Sequence, residues 1–263
     1  MVPYILRTMF LVALISASGC APGRSIPSLT EVPPDKLLDN VIAAQSRIED
    51  IKSSALLSVH FNGRGGRVSA RIRYKKPGLL KVFVQGGFRV IAVIALNEDR
   101  AQVYIPTDNL VFEGSLEGTD SLIPGLLVPM KDIRSSLTGL IDLTEFTIGK
   151  ISNYEIRDGM YSLSIQNAAG KRTIWVDPDR MTIVRDQTEE GDGKITDRRY
   201  EQYTRMNNIW RPLRIRILKD SPDESLDLRF EQQSLNSGLT ASELALTLPE
   251  SIRRIPLSEM VIQ

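Results

Sequence analysis

The sequence predicts a mainly β protein of about eleven to thirteen short antiparallel strands, with one long N-terminal helix and one short inserted helix. Three observations carry this. From Ala55 onward, apolar residues recur at every second position instead of every third or fourth. Turn-forming clusters such as Lys76-Pro77-Gly78, Arg157-Asp158-Gly159 and Gly191-Asp192-Gly193 punctuate those runs. Helical spacing is confined to segments near residues 35–51 and 129–142. The chain has 263 residues, 42% of them hydrophobic, enough for one sizeable core. Its net charge of +1 provides no bulk attraction to nucleic acid.

The N-terminus opens with Arg7 and the apolar run Met9-Phe10-Leu11-Val12-Ala13-Leu14-Ile15, then small residues up to Cys20. That pattern reads as a secretory signal peptide over residues 1–19. Its apolar run is about seven residues, whereas a spanning helix needs about 20. Cys20 is the only cysteine, so no internal disulfide framework exists. The stretch Ala17-Ser18-Gly19-Cys20 resembles the bacterial lipobox, which implies cleavage before Cys20 and acylation of that residue. The competing reading is a secreted protein with an incidental cysteine. Ala21 follows in place of an aspartate, which by the sorting rule implies the outer membrane. Residues 20–34 are rich in proline, glycine and serine and read as an extended tether, leaving 35–263 as a single domain.

The domain begins with a helix capped at Asp35, of about 16 residues, with Leu37, Leu38, Val41, Ile42, Ile48 and Ile51 on one side. Strands follow. Leu57, Val59 and Phe61 alternate with polar residues, as do Val68, Ala70, Ile72 and Tyr74. Tyr161, Leu163 and Ile165, then Leu213, Ile215 and Ile217, then Leu226, Leu228 and Phe230 repeat the pattern. Each run offers one apolar and one wet face, as antiparallel strands do. The run Val90–Leu96 is apolar on both faces, so both faces of its strand are expected to be covered. Pro129 opens the inserted helix, whose Ile133, Leu137 and Leu140 share a face. That helix reads either as a lid on the sheet's concave side or as a connecting element packed in the core.

Chemistry-bearing constellations are scarce. His60 is the only histidine and lies on a polar strand face without a group to orient it for Ser-His catalysis. Glu189-Glu190-Gly191-Asp192-Gly193 places Thr188 and Arg199 where a calcium loop needs acids, so it reads as a hairpin. Gly63-Arg64-Gly65-Gly66 leads into a strand, not the helix N-terminus a phosphate loop requires. The expectation is a non-enzyme with no metal or cofactor. Arg67, Arg71, Arg73, Lys75 and Lys76 form a basic stripe, readable as a solvated face or as a contact for anionic lipid. Gly86, Gly87 and Phe88 put a large aromatic at a flexible hairpin tip, either dipping into a membrane or partner or folded back on the core.

The order of lipobox, tether, helix, strands, inserted helix and further strands is similar to the bacterial outer-membrane lipoprotein-sorting family, the Lol carrier and receptor proteins. The phrase YKKPGLLKVFV resembles that family's third strand, and GLTASELALTLPESI its C-terminal end. The resemblance covers roughly residues 35–250 and implies an incomplete antiparallel β-barrel with helices over its open mouth. It also implies a cavity for acyl chains, for which Val82, Val84, Ile91 and Val93 are the expected wall and Ile133, Leu137 and Leu140 the expected lid. Phe88 stands near the family's protruding apolar loop residue, which implies a membrane-facing role. The implied partners are acylated proteins or lipids, a periplasmic carrier protein, and the outer membrane through the lipid at Cys20. The competing function is an assembly lipoprotein that holds a protein partner on its sheet surface.

Overall fold

The computed structural model describes residues 31–61, 63–116, 132–148, 151–168, 170–219 and 224–260. The signal peptide, Cys20 and most of the tether lie outside the described residues, as does most of the stretch 115–128. Helix α1 spans Pro34–Ser46 and buries Leu37, Leu38 and Val41. Pro33 holds the N-cap and Pro34 the first turn, where a missing N–H removes no helical bond. The helix ends earlier than expected. Ile51 belongs to the first strand, because it continues the inward alternation of Ala55 and Leu57.

Among the described residues fourteen strands follow, more than the expected eleven to thirteen. The first six are β1 (Asp50–Phe61), β2 (Arg64–Lys75), β3 (Leu79–Gly86), β4 (Arg89–Leu96), β5 (Arg100–Ile105) and β6 (Leu110–Ser115). After the inserted segment come β7 (Ile151–Arg157), β8 (Met160–Asn167), β9 (Gly170–Asp177) and β10 (Thr182–Glu190). The last are β11 (Ile195–Met206), β12 (Ile209–Lys219), β13 (Ser225–Leu235) and β14 (Arg253–Pro256). The meanders β1–β6 and β7–β13 lie side by side because β1 pairs with β13 from Ile51↔Leu235 to His60↔Ser225. The order is β14-β6-β5-β4-β3-β2-β1-β13-β12-β11-β10-β9-β8-β7, a curled sheet that stays open between its ends. This is the expected incomplete barrel, with one departure: β14 pairs with β6 in parallel. Four residues are too few for an alternation to announce a strand.

The inward faces of both meanders meet in one apolar cluster. Leu57, Ile72 and Val82 come from the first meander, and Leu163, Ile174 and Ile215 from the second. Three helices cover this concave face: α1, α2 (Ile133–Thr138) and α3 (Thr144–Ile148), which contribute Leu37, Ile133, Leu137 and Phe146. The inserted helix therefore lies over the sheet, and Gly139 ends it at φ 67°.

After β13 the chain crosses to the outer face. Helix α4 (Ala241–Leu244) contacts β2 and β3 there, and Leu239 and Leu244 are buried outside the main cluster. Lys81 Nζ donates to the Ala245 carbonyl at 2.6 Å, and Lys52 faces Glu243 at 3.6 Å. Asp50 makes this exit. Its carboxylate accepts from Ser237 N at 2.8 Å, Ser237 Oγ at 2.9 Å, Gly238 N at 2.8 Å and Leu239 N at 3.0 Å. Burial pushes the Asp50 carboxyl up, but these hydrogen bonds outweigh it and hold the group below its ordinary value.

The depressed carboxyl makes Asp50 a stabiliser above its ordinary value of 3.8, and that contribution is lost as pH falls through the lower folded value. Asp50→Ala is expected to cost about 3 kcal/mol at pH 7 by denaturant unfolding. The gap between variant and parent should shrink below pH 3.8. A gap that stays constant with pH would remove Asp50 from this role.

Candidate ligand-binding site on the concave face

The two halves of the concave face differ. In the first meander the inward positions are almost wholly apolar, including Ala55, Leu57, Ile72, Leu80, Val82 and Ile94. In the second, Arg172, Arg198 and Arg211 stand at inward positions. These arginines fasten the helices to the sheet. Arg198 pairs with Asp132, the residue preceding α2. Arg172 makes two bonds of 3.0 Å to Asp186 and reaches Glu145 of α3 at 3.3 Å. Arg211 donates to the Thr138 carbonyl at the end of α2. Across the mouth, Arg134 of α2 donates to the carbonyls of Asn97 and Glu98 between β4 and β5. Gln45 of α1 clasps the backbone of Ile141, accepting from its N–H at 2.7 Å and donating to its carbonyl at 3.3 Å. The cover is thus an assembly of α1 and residues 132–148 held by polar clasps over an apolar interface.

Several buried groups under this cover have no partner among the described residues: Ser136 Oγ, Arg198 Nε and Tyr200 OH. Burial pushes the Tyr200 and Tyr203 hydroxyls well above the ordinary tyrosine value. A cavity of about 90 Å³ remains at the edge of the cover, lined by Val41, Gln45, Leu140, Ile183, Tyr203 and Arg211 among others. Pockets for drug-sized ligands run from about 300 Å³, so this cavity is too small to take an acyl chain. A larger groove, about 490 Å³, lies outside, between the sheet and the returning C-terminal segment. Leu79, Leu96, Leu244, Leu246, Glu113 and Arg254 are among its walls.

Of the residues singled out from sequence, Val82, Val84, Ile133 and Leu137 come together in the core cluster, and Leu140 borders both the cluster and the cavity. Val93 is a correction. It pairs opposite Phe83 and so faces the outer side, buried but apart from the cluster. Ile91 also leaves the expected wall: it sits at the β3–β4 bulge beside Gly86 and is 39% exposed. A strand apolar on both faces does not disclose which face looks inward, and the bulge shifts the phase. Gly86 and Gly87 turn the hairpin, Gly87 at φ 61°, and leave Phe88 fully exposed at its tip. Cys20 lies outside the described residues. The inward arginines were missed. Their signal was a charge at an apolar parity, as in the series Ile209, Arg211, Leu213, Ile215 and Ile217.

The outer face shows its own asymmetry. In the second meander the arginines have acidic partners: Arg214 with Asp227 at 2.7 Å, Arg216 with Glu201, and Arg185 with Asp197 at 2.7 Å. In the first, Arg71, Arg73 and Lys81 surround the Phe83 ring at 5.2, 5.9 and 5.2 Å. Among the described residues no salt bridge joins a carboxylate to Arg67 or Arg71, while Arg73 lies in the field of Glu243.

No protein-family model and no curated protein matches the sequence. Solved structures do. A DUF1329 family protein from Desulfovibrio piger superposes with a TM-score of 0.63 at 14% identity, covering 82% of this chain and 100% of its own. A domain from Vibrio parahaemolyticus described as an outer membrane lipoprotein-sorting protein gives 0.62 at 12% identity, with 80% and 97% covered. A LolA superfamily protein from Nitrosomonas europaea gives 0.61 at 15% identity, with 82% and 99% covered. At these identities the likeness is one of architecture. The open curled sheet with helices across its concave face is the fold this protein shares with LolA-superfamily and lipoprotein-sorting structures.

Proposed function

We propose that this protein is an envelope lipoprotein, anchored through lipid on Cys20, that shelters acyl chains between its concave sheet face and its helical cover. Its role is transfer of lipoproteins or lipids toward the outer membrane. The observation that carries this reading is the cover itself. An apolar sheet face large enough for a hydrocarbon tail is closed by α1–α3 through a few polar clasps. The shared fold with the Vibrio and Nitrosomonas proteins supports it. The physical step is exchange. An acyl chain displaces Leu137, Ile133 and their neighbours from the inward face, and each buried methylene returns about 0.8 kcal/mol. The clasps set how much of that gain is spent on opening. Phe88, exposed on a glycine hinge beside Arg89, serves as the contact that enters the receiving bilayer.

A second reading has one observation in its favour. Arg67, Arg71 and Arg73, of which the first two have no carboxylate partner among the described residues, form a cationic surface on the outer face that would hold an acidic protein partner. On that reading a stable complex forms in pull-downs, and the concave face stays closed.

Two measurements test the first reading. Gln45→Ala removes both bonds to Ile141 and is expected to tighten binding of a fluorescent fatty acid about tenfold, because a larger fraction of the protein becomes open. Unchanged or weakened binding would show that the cover does not gate the site. Phe88→Ala in the full chain is expected to slow delivery of an acylated peptide to vesicles about tenfold. Delivery at the parent rate would leave the hairpin without a membrane role.

A further inference from the structure

We infer that the cavity beside α1 is a receptor for the anionic head, a carboxylate or a phosphate, of an amphiphile, with Arg211 as its buried contact and Arg180 at its edge. This deepens the sheltering role proposed above and rests on it. The cavity lies where the last turn of α1, residues 139–141, the β9–β10 turn and the β11–β12 turn converge. Its charged lining residues are Arg47, Arg180 and Arg211, with no carboxylate among them.

Arg211 is the exception among the inward arginines. Arg172 and Arg198 each face a carboxylate, Asp186 and Asp132. Arg211, only 2% exposed, has neutral acceptors alone: the Thr138 carbonyl and Gln233 Oε1, the latter at 3.3 Å. A buried guanidinium without a counter-charge is costly, and an anion supplied from outside removes that cost. Burial accordingly pulls Arg211 down to about 10, still protonated at neutral pH. Arg180 is held over the rings of Tyr203 at 5.7 Å and Trp210 at 5.5 Å and pairs with Asp177 at 2.8 Å, so its guanidinium is fixed at the cavity.

The size matches a head and not a tail. An engineered cavity of about 150 Å³ holds benzene, so about 90 Å³ takes a carboxylate or phosphate. The apolar lining continues into the core: Val41, Ile183 and Ile209 belong both to the cavity wall and to the main cluster. A head seated on Arg211 therefore directs its tail beneath α1. Neutral amphiphiles lack the group that this guanidinium selects.

Trp210 borders the cavity, and Trp175→Phe leaves it as the only tryptophan of the chain. In that full-length background, decanoate and decyl phosphate are titrated against decanol, with inorganic phosphate as a separate arm. The two anions are expected to bind at least about tenfold more tightly than decanol, and Arg211→Gln to erase the difference. Arg180→Gln, at the more exposed position, should reduce it by about threefold or more, which keeps the test open if Arg211→Gln fails to fold. Equal binding of anions and decanol overturns the anionic-head assignment and leaves the sheltering role standing. If only inorganic phosphate binds, and does so through Arg211, the anion site stands as one for free phosphate and the sheltering role falls. If no anion perturbs Trp210, the site is overturned.

Discussion

One constraint governs this molecule: a curled sheet that never closes has a largely apolar inner face, and that face must be covered. Pairing of β1 with β13 joins two meanders, of six and seven strands, into one sheet and aims both sets of inward side chains at one volume. A closed barrel would fill that volume with its own side chains. Here the sheet ends at β14 and β7, and the cover comes from α1 and from the segment between the meanders. At about 25 cal/mol per Å² of buried apolar area, leaving the face wet is untenable.

How the cover is held matters more than that it exists. Its apolar contacts are non-directional and would be met equally well by other apolar groups. Its polar contacts are specific: Gln45 with Ile141, Arg198 with Asp132, Arg172 with Glu145 and Arg211 with Thr138. Those bonds distinguish the closed arrangement from alternatives of similar apolar burial. The buried arginines thereby act as registry devices, at a desolvation cost that is offset where a carboxylate is adjacent. The outer face follows a different logic. Asp50 turns the chain out after β13, and the strap through Leu239 and Leu244 packs on β2 and β3, where Lys81 donates to the Ala245 carbonyl and Lys52 faces Glu243.

Much of this was legible in the residues. The alternation of Leu57, Ile72, Leu163, Ile215 and Leu228 named inward positions correctly, because a half-buried strand has a period of two. Ile133 and Leu137 identified the inserted helix, and Pro33-Pro34 its N-terminal counterpart. The pairing of β1 with β13 was not legible, since periodicity reports a face and not a neighbour. Val93 was placed on the wrong side because Val90–Leu96 is apolar throughout and its phase depends on a bulge. Arg211 went unremarked because its meaning comes from Thr138, 73 residues away in the chain. Long-range polar contacts leave no local pattern.

The central claim is that hydrocarbon enters between the sheet and its cover. A fatty acid carrying a diazirine midway along its chain, photolysed with the full-length protein and followed by peptide mapping, tests it directly. The account predicts adducts on inward residues such as Leu57, Ile72, Val82 and Leu137. Adducts confined to the outer groove, at Leu79, Leu244 and Leu246, would contradict it and move the ligand to the other side of the sheet.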